Sequence, residues 1–163
     1  MRKSAFHNDA GFTVIELMVT VAVLMILTSM AITPVRRFVA STRLRASTDA
    51  LKRQITVAKT RSVGNPDVNC GVFFDVTAEP QEIIIFFDDN ADGSFDPDED
   101  EIFRTVWPLR DGISMEVETL NGDEAIVFSG DGTTENPGHI TVENNFGEQR
   151  TLAIISTGRV RTE

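Results

Sequence analysis

Residues 88–99 read D-D-N-A-D-G-S-F-D-P-D-E, which spaces oxygen donors as a calcium-binding loop does. Asp88, Asn90 and Asp92 stand at positions 1, 3 and 5 of such a loop, Gly93 at the turn, and Glu99 at position 12. Ser94 offers its backbone carbonyl at position 7, and Asp96 reaches the ion directly or through water. Hard oxygen ligands at this spacing suit Ca²⁺. The flanks, residues 83–87 and 101–106, read as strands and not as the two helices of an EF-hand, and Pro97 sits near the loop's end. A solvated acidic hairpin loop is therefore the competing reading. A second group is Gly158, Arg159, Val160 and Arg161. In an extended tail Arg159 and Arg161 share one side, where two guanidinium groups can clamp adjacent phosphates, with Arg150 assisting. The competing reading is a last strand whose arginines pair with nearby carboxylates. The third is Glu16, a lone carboxylate in an apolar run.

The remaining candidates carry little. Cys70 is the single cysteine, His7 and His139 lie far apart, and neither a zinc site nor a Cys–His pair follows from them. Ser129 lacks a base and reads as turn chemistry, and Trp107 reads as core packing. No nucleotide-binding loop is present.

The elements that must position these groups differ sharply along the chain. Residues 12–33 form a 22-residue stretch whose one ionisable side chain is Glu16. As a helix it would be about 33 Å long, near the thickness of a bilayer's hydrocarbon core. Basic residues flank it on both sides, Arg2 and Lys3 before and Arg36 and Arg37 after, so flanking charge does not set its orientation. A secretory signal peptide would have a shorter apolar region. A carboxylate this deep in an apolar helix is costly in lipid unless it sits at the surface, is protonated or is paired.

Residues 11–17, G-F-T-V-I-E-L, resemble the type IV prepilin signature: a short charged leader ending in Gly, then Phe, then Glu, then an apolar run. The resemblance implies cleavage between Gly11 and Phe12 by prepilin peptidase on the cytoplasmic side, and N-methylation of Phe12. It also implies pairing of Glu16 with a neighbouring subunit's N-terminal amine, each buried charge supplying what the other lacks.

Residues 35–63 read as an amphipathic helix, with Val35, Phe38, Val39, Thr42, Ala46, Ala50, Ile55 and Ala58 near helical spacing. Pro34 kinks this helix and does not end it, and Gly64, Asn65 and Pro66 stop it. Eight of the ten basic residues found up to Gly64 decorate the segment. They form either a solvated face that offsets acidic surroundings or a surface for phospholipid heads and acidic neighbours.

From Cys70 onward seven short runs predict strands, at residues 71–76, 82–87, 101–109, 113–117, 125–128, 139–143 and 150–155. The fold class is α+β: a long N-terminal helix followed by an antiparallel sheet or sandwich head. From Asn65 the chain carries 22 acidic residues against five arginines, so the head repels nucleic acid and anionic lipid on average. The predicted organisation is a cleaved leader at 1–11, a transmembrane helix at 12–33, an amphipathic helix at 34–64 and a β-rich head at 65–163.

Residues 125–132 (A-I-V-F-S-G-D-G), 139–142 (H-I-T-V) and 150–161 (R-T-L-A-I-I-S-T-G-R-V-R) resemble the GspH/FimT family of minor pseudopilins and minor pilins. The resemblance implies a non-enzymatic structural subunit of a type II secretion pseudopilus or type IV pilus. Its partners would be other pilins, prepilin peptidase and the bacterial inner membrane, with the head in the periplasm or on the filament, and no cofactor would be required. In the FimT-like branch a Gly-Arg-x-Arg tail is associated with DNA capture, which makes DNA a partner in the alternative reading of Arg150, Gly158, Arg159 and Arg161.

Overall fold

The computed structural model describes residues 12–65 and 67–163. One helix, α1 (Val14–Gly64), precedes eight strands: β1 (Asn69–Asp75), β2 (Glu82–Asp88), β3 (Glu101–Val106), β4 (Ile113–Thr119), β5 (Ala125–Phe128), β6 (Gly138–Asn144), β7 (Gln149–Ile154) and β8 (Val160–Thr162). The chain divides into two compact units, the first ending at Phe38 and the second Val39–Glu163.

In the first unit the helix begins at a true cap. The Thr13 hydroxyl accepts the Glu16 N–H at 3.2 Å, so Thr13-Val14-Ile15-Glu16 has the sequence of a capping box. Helix formation continues because the stretch is rich in Leu and Met, and its Val and Ile residues are tolerated once the helix is nucleated. The hydroxyls of Thr20, Thr28 and Ser29 donate back to the carbonyls of Leu17, Leu24 and Ile26. Those polar groups are thereby satisfied inside the helix, as an apolar environment demands. The apolar side chains face outward on all sides, from Phe12 (79% exposed) to Met30 and Phe38. Pro34 lies inside α1, which continues through it.

In the second unit α1 buries Ala40, Leu44, Ser47, Thr48, Leu51, Ile55, Ala58 and Ser62. Their three- and four-residue steps define a single stripe. This corrects the stripe expected from the sequence: Val35, Phe38, Val39 and Thr42 are exposed, Ala46 and Ala50 are half-buried, and Ile55 and Ala58 alone of that set are buried. The true stripe includes three hydroxyl residues, which hydrophobicity does not reveal. Each earns its burial with a hydrogen bond. Thr48 donates to Leu44 O at 2.8 Å, Ser62 donates to Phe128 O at 2.6 Å, and Ser47 accepts the Arg110 N–H at 3.0 Å.

The strands form two four-stranded antiparallel sheets, ordered β3-β2-β1-β5 and β4-β6-β7-β8. A single apolar cluster draws on α1 and both sheets, including Leu44, Leu51 and Ile55 with Phe74, Ile85, Phe128, Ile140 and Leu152. Among the described residues eight strands replace the seven expected. The additional one, β8, is only three residues long and polar, too short for alternation to mark it. Strand β3 stops at Val106, three residues short of expectation, and Trp107 lies beyond its last paired residue. Trp107 is 60% exposed, which corrects its reading as core packing.

Cys70 is fully buried in the core cluster. Burial pushes its thiol up to about 11, the Arg61 guanidinium offsetting part of the shift. At pH 8 only about one thiol in a thousand is then ionised, and the thiolate is the reactive form. Iodoacetamide at pH 8 should leave Cys70 unmodified in the folded chain and label it promptly in denaturant. Mass spectrometry after timed quenching reads the difference, and fast labelling of the native chain would contradict this burial.

Candidate functional site

Glu16 occupies the first turn of α1, its backbone tied to the Thr13 hydroxyl. A carboxylate there also faces the positive end of the helix dipole. Phe12 is exposed, and Gly11, the other half of the expected cleavage site, lies outside the described residues, as does the leader. The T-x-x-E pattern of residues 13–16 is the sequence signal for the Thr13 cap, and it overlaps the prepilin spacing of Gly11, Phe12 and Glu16.

The acidic loop joins β2 to β3, with Asp88 ending β2 and Glu101 opening β3. Asp88 is 3% exposed. Its Oδ2 accepts the Gly93 N–H at 3.2 Å, while its Oδ1 is buried with no hydrogen-bond partner. Burial raises its pKa; the Gly93 N–H lowers it in part, and the negative charges of Asp100 and Asp92 raise it further. Gly93 adopts a left-handed φ of 79°, which a residue with a Cβ resists. Asp92 accepts from the backbone and hydroxyl of Ser94 at 2.8 and 2.7 Å, and Asn90 Oδ1 accepts the Asp92 N–H at 3.1 Å. The Asn90 amide nitrogen donates to Asp92 Oδ2 at 3.1 Å and to Glu99 Oε2 at 2.8 Å. Asp96 caps the next turn by accepting the Asp98 N–H at 2.9 Å. Among the described residues no three His, Cys, Asp or Glu side chains converge closely enough to hold an ion as they stand.

Two residues that sequence reading passed over hold this loop in place. Phe95 packs its ring 4.8 Å from both Phe73 and Phe86. Asp100 is buried and accepts the N–H of Asp96 at 2.8 Å and of Asp89 at 3.4 Å. Asp88 and Asp92 also line a cavity of about 180 Å³ together with Asn121, Asp123 and Glu135.

The C-terminal group is a turn and a strand, not a free tail. The Gly158 N–H donates to Ile155 O at 2.7 Å, the Ile155 N–H donates to Arg159 O at 3.2 Å, and β8 then pairs with β7, Arg161 opposite Ala153. Gly158 is buried with φ +65°, and a Cβ there would land on the Gly132 carbonyl oxygen. Lys59 of α1 donates to Thr157 O at 3.1 Å and Gly158 O at 3.0 Å. The glycine of the Gly-Arg-x-Arg sequence is therefore required by packing. Arg159 and Arg161 are exposed, and Arg150 is half-buried on β7. Ser129 takes part in a turn, its N–H donating to Thr133 O and its carbonyl accepting the Gly132 N–H.

Comparison with known proteins places both halves of the chain. Residues 6–32 match the model of the prokaryotic N-terminal methylation motif. Residues 35–158 match the model of the type II transport protein GspH. No curated protein matches the chain. Among solved structures it resembles the type IV minor pilin FimU of Pseudomonas aeruginosa PAO1, at 17% identity and a TM-score of 0.59, covering 77% of this chain and 92% of that one. It also resembles the minor pseudopilin EpsH from the type 2 secretion system of Vibrio cholerae, at 12% identity and a TM-score of 0.52, covering 72% and 95%. These likenesses establish the fold.

If Gly158 is architectural, Gly158→Ala should destabilise the chain by more than about 1 kcal/mol, through left-handed strain and the Gly132 contact. Arg159→Gln with Arg161→Gln should stay within roughly 0.5 kcal/mol of wild type. Urea unfolding followed by Trp107 fluorescence compares them, and an alanine variant as stable as wild type would refute the packing argument.

Proposed function

The chain belongs to the type II transport protein GspH family and is a structural subunit of the minor pilin or pseudopilin kind, and we propose that it is built into its filament through α1. The observation that carries this reading is the first unit's helix: long and apolar enough to cross a membrane, with none of its most apolar stretch buried within the chain. In this proposal residues 12–33 span the bacterial inner membrane of the prepilin, with the head in the periplasm. Prepilin peptidase cuts after Gly11, Phe12 is methylated at its new amine, and the helix passes from lipid into contact with neighbouring subunits. Glu16 draws a neighbour's N-terminal amine into register, since two charges leaving water together need each other. The role calls for no cofactor and no catalysis. The comparisons lend no support to the DNA-capture alternative, and the packed position of Gly158 explains that residue without it.

Intact-mass analysis of membrane-extracted protein tests the processing: the chain should begin at Phe12 and carry one extra methyl group. A mature chain starting near Ala31 would point to signal-peptide cleavage and sink the prepilin reading. Charge and cap at the helix start are separable. Thr13→Ala removes the cap, at a cost of about 1 kcal/mol to the helix end. Glu16→Gln keeps an amide able to complete a capping box but removes the charge. Co-purification with the other filament subunits should fall strongly for Glu16→Gln and only slightly for Thr13→Ala; the reverse order would assign Glu16 to capping alone.

A further inference from the structure

We propose that the β2–β3 loop is a binding site for one divalent cation of calcium's size, held by Asp88, Asn90, Asp92 and Glu99 with the Ser94 carbonyl. The filament role does not require it, and it stands on separate observations.

The first is the spacing of hard oxygen donors around a glycine in the left-handed conformation, φ +79° at Gly93. Spacing alone would describe many solvated loops. The second is Asp88, whose carboxylate is turned toward the loop: one oxygen takes the Gly93 N–H, and the other is buried without any partner. A buried carboxylate oxygen lacking a donor is unfavourable, and native proteins seldom keep one without a use for it. A cation bound there supplies the missing partner.

The Asn90 side chain shows where the remaining ligands close. Its NH₂ group now bridges Asp92 and Glu99, acting as the shared electropositive group between two carboxylates. An entering ion takes over that place, and rotation of the Asn90 amide presents its carbonyl oxygen instead. Asp88, Asp92 and Glu99 do not converge as they stand, so the ion must also draw their side chains together as it binds. Phe95 packs the loop on the sheet and Asp100 ties together the loop's own backbone at Asp89 and Asp96, so less ordering remains to oppose binding. The cavity beside Asp88 and Asp92 leaves room for the water ligands that complete a coordination number of 6–8. Mg²⁺ fits less well, because it demands a compact octahedron and gives up its waters reluctantly.

The test uses the full chain in detergent micelles, stripped of metal with chelator, and follows unfolding by Trp107 fluorescence. Calcium at about 1 mM should raise the melting temperature by about 5 °C, and Mg²⁺ at the same concentration should raise it far less. Equilibrium dialysis with radioactive calcium should find one ion per chain. Glu99→Gln, at an exposed position, should abolish both effects. Asp88→Asn should melt no lower than wild type without calcium, because it removes an uncompensated buried charge, yet should lose the response to calcium. A merely structural Asp88 would give the opposite pair: a lower melting point and an intact response. No calcium-dependent shift in the wild-type chain, an equal shift with Mg²⁺, or a shift that survives Glu99→Gln would each overturn the assignment.

Discussion

The apolar side chains of α1 from Val14 to Ile32 are exposed on their own chain, and that unmet burial sets what the molecule can be. Fourteen large apolar side chains between Phe12 and Ile32 are exposed. At roughly 1.5–3 kcal/mol for each side chain removed from water, covering them is worth on the order of 20–40 kcal/mol. A whole domain is stable by only about 5–15 kcal/mol, so such a surface cannot stand in water. Lipid or other helices must cover it. The back-bonded hydroxyls of Thr20, Thr28 and Ser29 suit either cover equally. Glu16 is a group that lipid serves poorly, and in the proposed filament a neighbouring amine would serve it better.

The long apolar helix and the methylation-motif match were legible because the signals reinforce one another: a Gly-Phe pair, a Glu at fixed spacing and a long apolar run. The head was legible as short apolar runs between turns, and seven of the eight described strands followed from those two signals together. One group of failures has a physical cause, that sequence patterns report hydrophobicity while burial also follows hydrogen bonding. Ser47, Thr48 and Ser62 lie on the buried stripe of α1 because each hydroxyl has a backbone partner. The expected stripe ran instead through Val35, Phe38 and Val39, which face outward, and passed over the buried Leu44 and Leu51. Strand β8 was hidden likewise, since its place depends on a turn at Gly158 and on ladder bonds to β7.

The acidic loop shows the limit from the other side. Its donor spacing could be read directly, whereas the features that separate a cation site from a solvated hairpin could not. The buried, unpartnered oxygen of Asp88 depends on β2 carrying that residue into the interior, and the anchoring of Phe95 depends on which face of the sheet Phe73 and Phe86 share. Both are properties of the assembled sheet.

The basic residues of α1 complete the same argument. Counted along the sequence they form a charge run, for which a solvated face is the ordinary reading. In the structure several are spent on the head instead. The Arg43 guanidinium donates to Asp111 O at 3.1 Å, Lys59 to the carbonyls of Thr157 and Gly158, and Arg61 stacks 3.6 Å over the Phe103 ring. Cations that bind carbonyls and an aromatic face satisfy groups that loops and strand ends leave open, and they do so without needing a carboxylate. Lys59 in particular joins the last turns of the helix to the turn before β8, beside the close contact of Gly158 with Gly132. The end of the chain is thereby held against the helix by the packing that shapes the head. The glycine of the Gly-Arg-x-Arg sequence therefore follows from architecture, while Arg159 and Arg161 stand exposed beside it.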